Sequence, residues 1–264
     1  MRAVLWCNGD SPSSLVIERV ALEGAELFGV DGGADKASAS GYSVGEAIGD
    51  MDSLDTESWN GSMNKISGEG NSDLSKSLEV VIQRGFQEID VIGIEGGSFG
   101  HQLGVIGSLA EISGESKVKL HHETGVTHRY HPSMGTMELM IDEGASFSVF
   151  ALTSCESVYL RGSKWELDGE PMDLSTRGLS NVGKGEAVSI SSDGEYITAG
   201  SKSDGSHTRK VYLFDKDSST PLWSYTAGST VWDVAISADG EYIVAGSEDN
   251  KVYFFDKDSS TPLW

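Results

Sequence analysis

Phe28-Gly29-Val30-Asp31-Gly32-Gly33 is a short apolar run that stops at an acidic, glycine-rich turn, and this form recurs along the first part of the chain. Upstream, Ala3-Val4-Leu5-Trp6 breaks at Asn8-Gly9-Asp10. Downstream, Ala47-Ile48 enters Gly49-Asp50-Met51-Asp52-Ser53, and Ile89 to Ile94 ends at Glu95-Gly96-Gly97. Each run reads as a short buried strand bounded by turn residues. Helical periodicity fills the gaps: Ser13 to Leu27, with apolar Leu15, Val16, Val20, Leu22 and Leu27 behind a cap at Ser13 or Ser14, then Ala34 to Ser40, and later Leu103 to Ile112. Strands alternating with helices predict an α/β domain with a mostly parallel sheet. Ligands of such sheets sit at the carboxyl ends of the strands, where these Gly and Asp turns fall.

From Lys117 the texture changes to short alternating runs, Lys117 to His121, Glu138 to Ile141, Ser146 to Ala151 and Ser157 to Leu160, separated by Gly, Pro and Ser. They predict a small antiparallel β-sandwich after a linker near Gly114-Glu115-Ser116. The last third repeats itself. Ala187 to Ser201 recurs from Asp233 to Ser247, and Lys210 to Trp223 recurs almost letter for letter from Lys251 to Trp264, the first copy being longer inside Lys202 to Arg209. A period of roughly 40 residues suits one four-stranded propeller blade. The units resemble WD-type and pyrroloquinoline-quinone-type propeller repeats, with Trp223, Tyr225, Trp232 and Trp264 as blade-packing aromatics. Two repeats do not close a ring, and the segment is expected to be truncated, its open edges favouring association. The resulting expectation is an α/β parallel-sheet nucleotide domain over 1–115, an antiparallel β-sandwich over 116–185 and an incomplete propeller-like segment over 186–264. Glu186 to Ala199 is claimed by both the sandwich and the repeats, and is expected to close the sandwich or pair with the second repeat.

The 41 acidic residues against 19 Lys and Arg, a formal charge of −22, repel nucleic acids and anionic membranes. An acidic protein that handles a polyphosphate needs local cations, and a metal is the natural one. The two thiols, Cys7 and Cys155, in a long chain fit a reducing compartment, and no apolar run approaches the ~20 residues that span a bilayer. The expected location is cytoplasmic. His121, His122, His128 and His131 lack carboxylate or Cys partners at fixed spacing and read as surface residues.

Asp50 and Asp52 face one point if the chain is extended there, and could hold a hard cation; the alternative is a solvated turn. Asn71-Ser72-Asp73 starts a helix with Lys76 on the same face, a carboxylate and an ammonium for a metal and a phosphate, or else a cap with an ordinary surface Lys. Gly96-Gly97-Ser98-Phe99-Gly100-His101 opens a helix after a strand, either an anion site or a tight connection.

Taken in order, CNGDSPS, GVDGGADK, GDMDSL, NSDLSKSLE, GIEGGSFGHQLGVIGSL, GSKWEL and RGLSN resemble the thiamine pyrophosphokinase (thiamine diphosphokinase) family over about residues 1–182. The resemblance implies an α/β catalytic domain, a thiamine-binding β-sandwich, a homodimer, and Mg²⁺-dependent transfer of diphosphate from ATP to thiamine. It further implies Asp50, Asp52 and Asp73 as Mg²⁺ ligands acting with Lys76 in catalysis. Asp31, in the DGGAD turn, would support the same metal site or the nucleotide; Gly32, Gly33, Ser53, Ser72, Gly96, Gly97 and His101 would surround the nucleotide, and Trp165, Ser180 and Asn181 the thiamine. Where the family reads Gly-Gly-Arg-x-Asp-His, this chain has Ser98 and Gly100, losing a cation and a carboxylate together. That departure admits reduced activity, another acceptor such as a pterin, or an inactive platform carrying a protein-interaction module.

Overall fold

The computed structural model describes residues 1–68, 70–112, 116–192, 196–200, 209–215, 220–236 and 242–264. The expected linker at Gly114-Glu115, the Asp193-Gly194 turn and the insertion inside 202–208 lie outside the described residues. The chain divides into two compact units, Met1–Met134 and Gly135–Trp264.

The first unit contains β1 (Arg2–Trp6), α1 (Ser14–Val20), β2 (Glu26–Val30), α2 (Gly33–Ala39), β3 (Glu46–Gly49), β4 (Ser62–Lys65), α3 (Asp73–Gln83), β5 (Glu88–Ile92), α4 (Phe99–Glu111), β6 (Lys117–His121) and β7 (Val126–His128). They build a seven-stranded sheet ordered β4-β3-β2-β1-β5-β6-β7. All neighbours are parallel except β6 and β7. The chain steps outward from β1 to β4 and then returns to β1's other side at β5. The strand order thus reverses beside β1, the place where open α/β sheets form their ligand crevice. The core strands are apolar on both faces, with Ala3, Val4, Leu5 and Trp6 of β1 all buried, as a doubly covered parallel sheet requires. Gly33 lets α2 lie directly on β1, because a Cβ there would stand 2.0 Å from the Trp6 carbonyl oxygen.

Several sequence expectations change here. The helix expected over Ser13 to Leu27 ends at Val20, where Ala21 takes a left-handed φ of 49°, and β2 begins at Glu26. The helix expected from Leu103 begins at Phe99, capped by Ser98. Lys117 to His121 is not the first strand of a second domain. It pairs in parallel with β5, so the sheet runs past residue 115. Its alternation of exposed and buried residues is that of a strand with one open face, which sequence alone does not assign to a particular sheet. His121 is buried, its Nε2 lying 2.7 Å from Asp90 Oδ1, while Arg2 donates from Nε to Asp90 Oδ2 at 2.8 Å. Arg2 also donates to the carbonyls of Val20 and Ala21, fastening the end of α1 to β1 and β5.

The second unit is built of strands: β8 (Met137–Met140), β9 (Ser146–Phe147), β10 (Cys155–Arg161), β11 (Leu167–Met172), β12 (Asn181–Val182), β13 (Ala187–Ser192), β14 (Tyr196–Gly200), β15 (Lys210–Asp215), β16 (Pro221–Thr226), β17 (Val231–Ile236), β18 (Tyr242–Ser247) and β19 (Lys251–Asp256). β11-β10-β13-β8 form one sheet and β9 pairs with β12. Val158, Met172 and Ala151 are buried together beneath them. The contested stretch is divided: Ala187–Ser192 closes the four-stranded sheet between β10 and β8, whereas Tyr196–Gly200 pairs with β15 of its own repeat. The first repeat therefore keeps three strands, β14-β15-β16, beside the second repeat's β17-β18-β19. Among the described residues no sheet closes on itself, and no propeller ring is formed. Trp223 and Tyr225 pack in the core shared by the two repeats, but Trp232 and Trp264 are exposed, against the expectation that all four pack a blade.

Candidate metal and nucleotide site

Three carboxylates meet at the carboxyl edge of the first sheet. Asp31 follows β2, Asp50 follows β3 and Asp73 is the first residue of α3, and one oxygen from each lies within 4.8 Å of the others. The local structure explains the convergence. Ser72 caps α3, its Oγ accepting from Ser75 N–H at 3.1 Å, and this places Asp73 at the helix N-terminus, where the dipole favours an anion. The Asp50 N–H then donates to Asp73 Oδ1 at 3.2 Å. Asp31 adopts a left-handed φ of 48°, uncommon for a residue with a Cβ, and is only 4 % exposed. Its Oδ2 accepts the Ser53 N–H at 3.0 Å, while its Oδ1 is buried with no hydrogen-bond partner. Burial pushes the Asp31 carboxyl above the ordinary range; the Ser53 hydrogen bonds oppose this and the charge of Asp73 adds to it. Lys76 is buried beside the cluster, with Nζ 3.2 Å from Asp73 Oδ1 and 4.0 Å from Asp50 Oδ2. It is not an ordinary surface lysine.

A hard divalent cation takes oxygen ligands, and a buried carboxylate oxygen lacking a donor is what such an ion would satisfy. Asp31, Asp50 and Asp73 fit Mg²⁺ on that ground. Asp52 stands apart. The chain leaves β3 at Gly49, Met51 has a left-handed φ of 66°, and the Asp52 N–H folds back onto Asp50 Oδ1 at 3.1 Å. The i, i+2 alignment of a strand does not apply there. Asp52 instead accepts from Ser53 Oγ at 2.9 Å. Asp31, open in the sequence between the metal site and the nucleotide, takes its place in the converging group, an acidic residue immediately after a buried strand and held by a double glycine.

The turns after β1 and β5 are joined, Gly9 N–H donating to Gly93 O at 2.8 Å and Asp10 N–H to Glu95 O at 2.7 Å. Gly96 and Gly97 have φ of 81° and 71°, and a Cβ on Gly96 would stand 2.6 Å from the Asp10 carboxylate. His101 closes a capping box with Ser98 at the start of α4. Gly32 packs its Cα side against Asn8 and Ser53. Lys36, which sequence reasoning passed over, donates to the carbonyls of Asn8 and Gly9 at 2.8 and 2.6 Å and fixes that loop.

In the second unit, Asn181 is buried and its amide is spent internally. Nδ2 donates to Ser163 Oγ at 3.2 Å and to Trp165 O at 2.6 Å, while Oδ1 accepts the N–H groups of Trp165 at 3.1 Å and Val182 at 2.8 Å. It holds Trp165, which is 54 % exposed with Lys164 Nζ 4.4 Å above its ring. Ser180 is exposed in a left-handed conformation with φ of 60°.

Residues 22–121 match the family described as thiamin pyrophosphokinase, catalytic domain, and residues 136–197 match thiamin pyrophosphokinase, vitamin B1 binding domain. Over these two segments the chain belongs to the thiamin pyrophosphokinase family. Residues 219–256 match the WD domain, G-beta repeat. The fold agrees with solved thiamin pyrophosphokinases. The Bacillus subtilis enzyme is 18 % identical with a TM-score of 0.56, over 73 % of this chain and 94 % of that one. A thiamin pyrophosphokinase family protein from Enterococcus faecalis is 22 % identical with a TM-score of 0.55, over 73 % and 94 %. The yeast enzyme is 14 % identical with a TM-score of 0.52, over 73 % and 83 %. At these identities the likeness is one of fold. No curated protein matches the chain. The three acidic residues belong to the thiamin pyrophosphokinase catalytic match, and Trp165, Ser180 and Asn181 to the vitamin B1 binding match. No helix among the described residues is long and apolar enough to cross a membrane.

Proposed function

We propose that the protein is a thiamine diphosphokinase that moves the diphosphate of ATP onto the hydroxyl of thiamine, giving thiamine diphosphate and AMP. The observation that carries this reading is the convergence of Asp31, Asp50 and Asp73, one carboxylate oxygen from each within 4.8 Å of the others, with Asp31 keeping a buried, partnerless Oδ1. Mg²⁺ held by those three residues would neutralise the ATP phosphates. Lys76 adds a fixed positive charge at the same edge of the sheet, and Asp52, through its backbone bond to Asp50, keeps that carboxylate oriented. Gly96, Gly97 and the opening turn of α4 offer backbone N–H groups to phosphate, with His101 holding that turn through its capping box with Ser98; Gly32, Gly33, Ser53 and Ser72 shape and cap the elements around it.

The reaction joins the thiamine oxygen to the β-phosphorus and breaks its bond to the α-phosphate oxygen. Positioning and charge stabilisation suffice, and no nucleophilic side chain is needed. Trp165 and Ser180 present the thiamine-facing surface; Asn181 positions Trp165, and Ser180 donates its N–H to Ser148 Oγ at 3.0 Å. Ser98 supplies the α4 cap but no cation, so Lys76 carries the positive charge that an Arg at position 98 would share. The protein acts as a cytoplasmic homodimer, and its repeats bind protein. Incubation with thiamine, ATP and Mg²⁺ should yield thiamine diphosphate and AMP in equal amounts. Failure to form either product with thiamine, while ATP binding persists in calorimetry, would overturn this assignment and leave a nucleotide-binding platform.

A further inference from the structure

The helices α3 and α4 are joined by hydroxyl groups. Ser72 and Ser75 stand one turn apart at the start of α3, and Ser108 and Glu111 one turn apart at the end of α4, so each pair shares one face of its helix. The two faces meet in two rungs. Ser72 Oγ lies 3.0 Å from Ser108 Oγ, and Ser75 Oγ donates to Glu111 Oε2. A hydroxyl has one proton, and that of Ser108 goes to Gly104 O at 3.0 Å, so the first rung carries the proton of Ser72. Ser72 Oγ is therefore shared. It accepts the Ser75 N–H that caps α3 in front of Asp73, and it donates to α4.

Both rungs hold α4 by its last turn. Arg129, which is buried, donates to the carbonyls of Leu109 and Ile112 and holds that same end. The other end is open, with Phe99 to Gly104 all exposed. At ~1.5 Å per residue Ser108 stands about 13 Å along the axis from Phe99, and a tilt of about 5° at the rungs moves the opening turn by about 1 Å. A shift of about 1 Å costs up to about a hundredfold where groups must be placed for reaction.

We propose that Ser75, Ser108 and Glu111 are positioning residues: their rungs fix α4 against the capped start of α3 and so aim its opening turn at the phosphates of ATP. The inference rests on the reading of that turn as the phosphate-binding end of the site. The three residues act through α4 and not on the nucleotide.

Calorimetric titration of the full chain with ATP and Mg²⁺ tests this. Glu111→Ala and Ser108→Ala, each of which removes one rung, are expected to bind at least about fivefold more weakly than wild type. Glu111→Gln keeps an acceptor for Ser75 Oγ and is expected to stay within about twofold. Val20→Ala, a core truncation in α1, shows what lost stability alone does to binding, and is expected to leave it unchanged. Ser108→Cys takes the place of Ser108→Ala if circular dichroism shows that variant unfolded. With thiamine added, the KM for thiamine is expected to hold while kcat falls in the same two variants. Wild type that binds ATP but forms no thiamine diphosphate would overturn the proposed function and leave this inference to the binding measurements. A smaller loss of binding in either rung variant, an equal loss in Glu111→Gln or Val20→Ala, or no binding by wild type would overturn the inference itself.

Discussion

Asp50 is tied to Asp73 by its own backbone: the Asp50 N–H donates to Asp73 Oδ1 at 3.2 Å, the same oxygen that Lys76 Nζ approaches to 3.2 Å. The end of β3 and the start of α3 are thereby locked together, and Asp31 completes the group from the end of β2. Like charges held this closely disfavour the fold unless a cation or a proton relieves them.

Asp31→Asn should raise the melting temperature at neutral pH without divalent ions. The folded pKa of Asp31 lies above the unfolded one, so the folded state keeps a proton that the unfolded chain releases. Stability from this group therefore falls as pH rises from about 4 through the folded pKa and stays reduced above it. Asn donates from its amide into the acidic cluster and removes that loss. Thermal scans from pH 4 to 8 should show wild type losing stability relative to the variant; parallel curves would contradict the account.

Gly33→Ala should be among the most damaging small substitutions in the first unit. The new Cβ would meet backbone, the Trp6 carbonyl oxygen at 2.0 Å, and neither β1 nor α2 can yield as a side chain would. A loss of about 1–3 kcal/mol is expected in urea denaturation. Gly104→Ala, where a Cβ meets nothing within 4 Å, is the control and should be neutral or slightly stabilising.

The Asp90 carboxyl titrates below its ordinary value. Burial works to raise it, but the hydrogen bonds from His121 and Arg2 outweigh burial. Its contribution is present above the unfolded pKa and is lost as pH falls through the folded one. Asp90→Asn should cost about 3 kcal/mol at pH 7, having left Arg2 and His121 without their shared anion. The difference from wild type should shrink below pH 4.

Much of the first unit was legible because buried parallel strands are short apolar runs with turns at known ends: Ala3 to Trp6, Phe28 to Val30 and Ile89 to Ile92 all lie in strands. β6 was misplaced because Lys117 to His121 alternates as an antiparallel strand does, and alternation records one exposed face but not the neighbouring strand. In the acidic cluster, Asp50, Asp73 and an Asp31 open to either the metal or the nucleotide can be named from the sequence, but the departure of Asp52 cannot. Whether Asp52 or Asp31 joins Asp50 depends on the left-handed turn at Met51, a backbone choice that no side-chain pattern declares. The division of Ala187 to Gly200 between two sheets was likewise open in sequence, since either sheet accepts an alternating strand.

Asn181→Ala should act on thiamine and not on ATP. Removal of the amide strands the Trp165 N–H and frees the segment that carries the exposed ring. Steady-state kinetics should show KM for thiamine rising about tenfold while KM for ATP holds, as expected for about 1–2 kcal/mol of lost positioning. Equal rises in both would argue that Asn181 supports only the fold.

The central claim is that Asp31, Asp50 and Asp73 form one divalent-cation site. Electron paramagnetic resonance of Mn²⁺, whose free-ion signal disappears on binding, tests it most directly with ATP present and absent. Wild type should remove one Mn²⁺ per chain beyond that held by ATP in solution, and Asp31→Asn and Asp73→Ala should each abolish that uptake while remaining folded by circular dichroism. Uptake unchanged in both variants, or none in the wild type even with ATP, would contradict it.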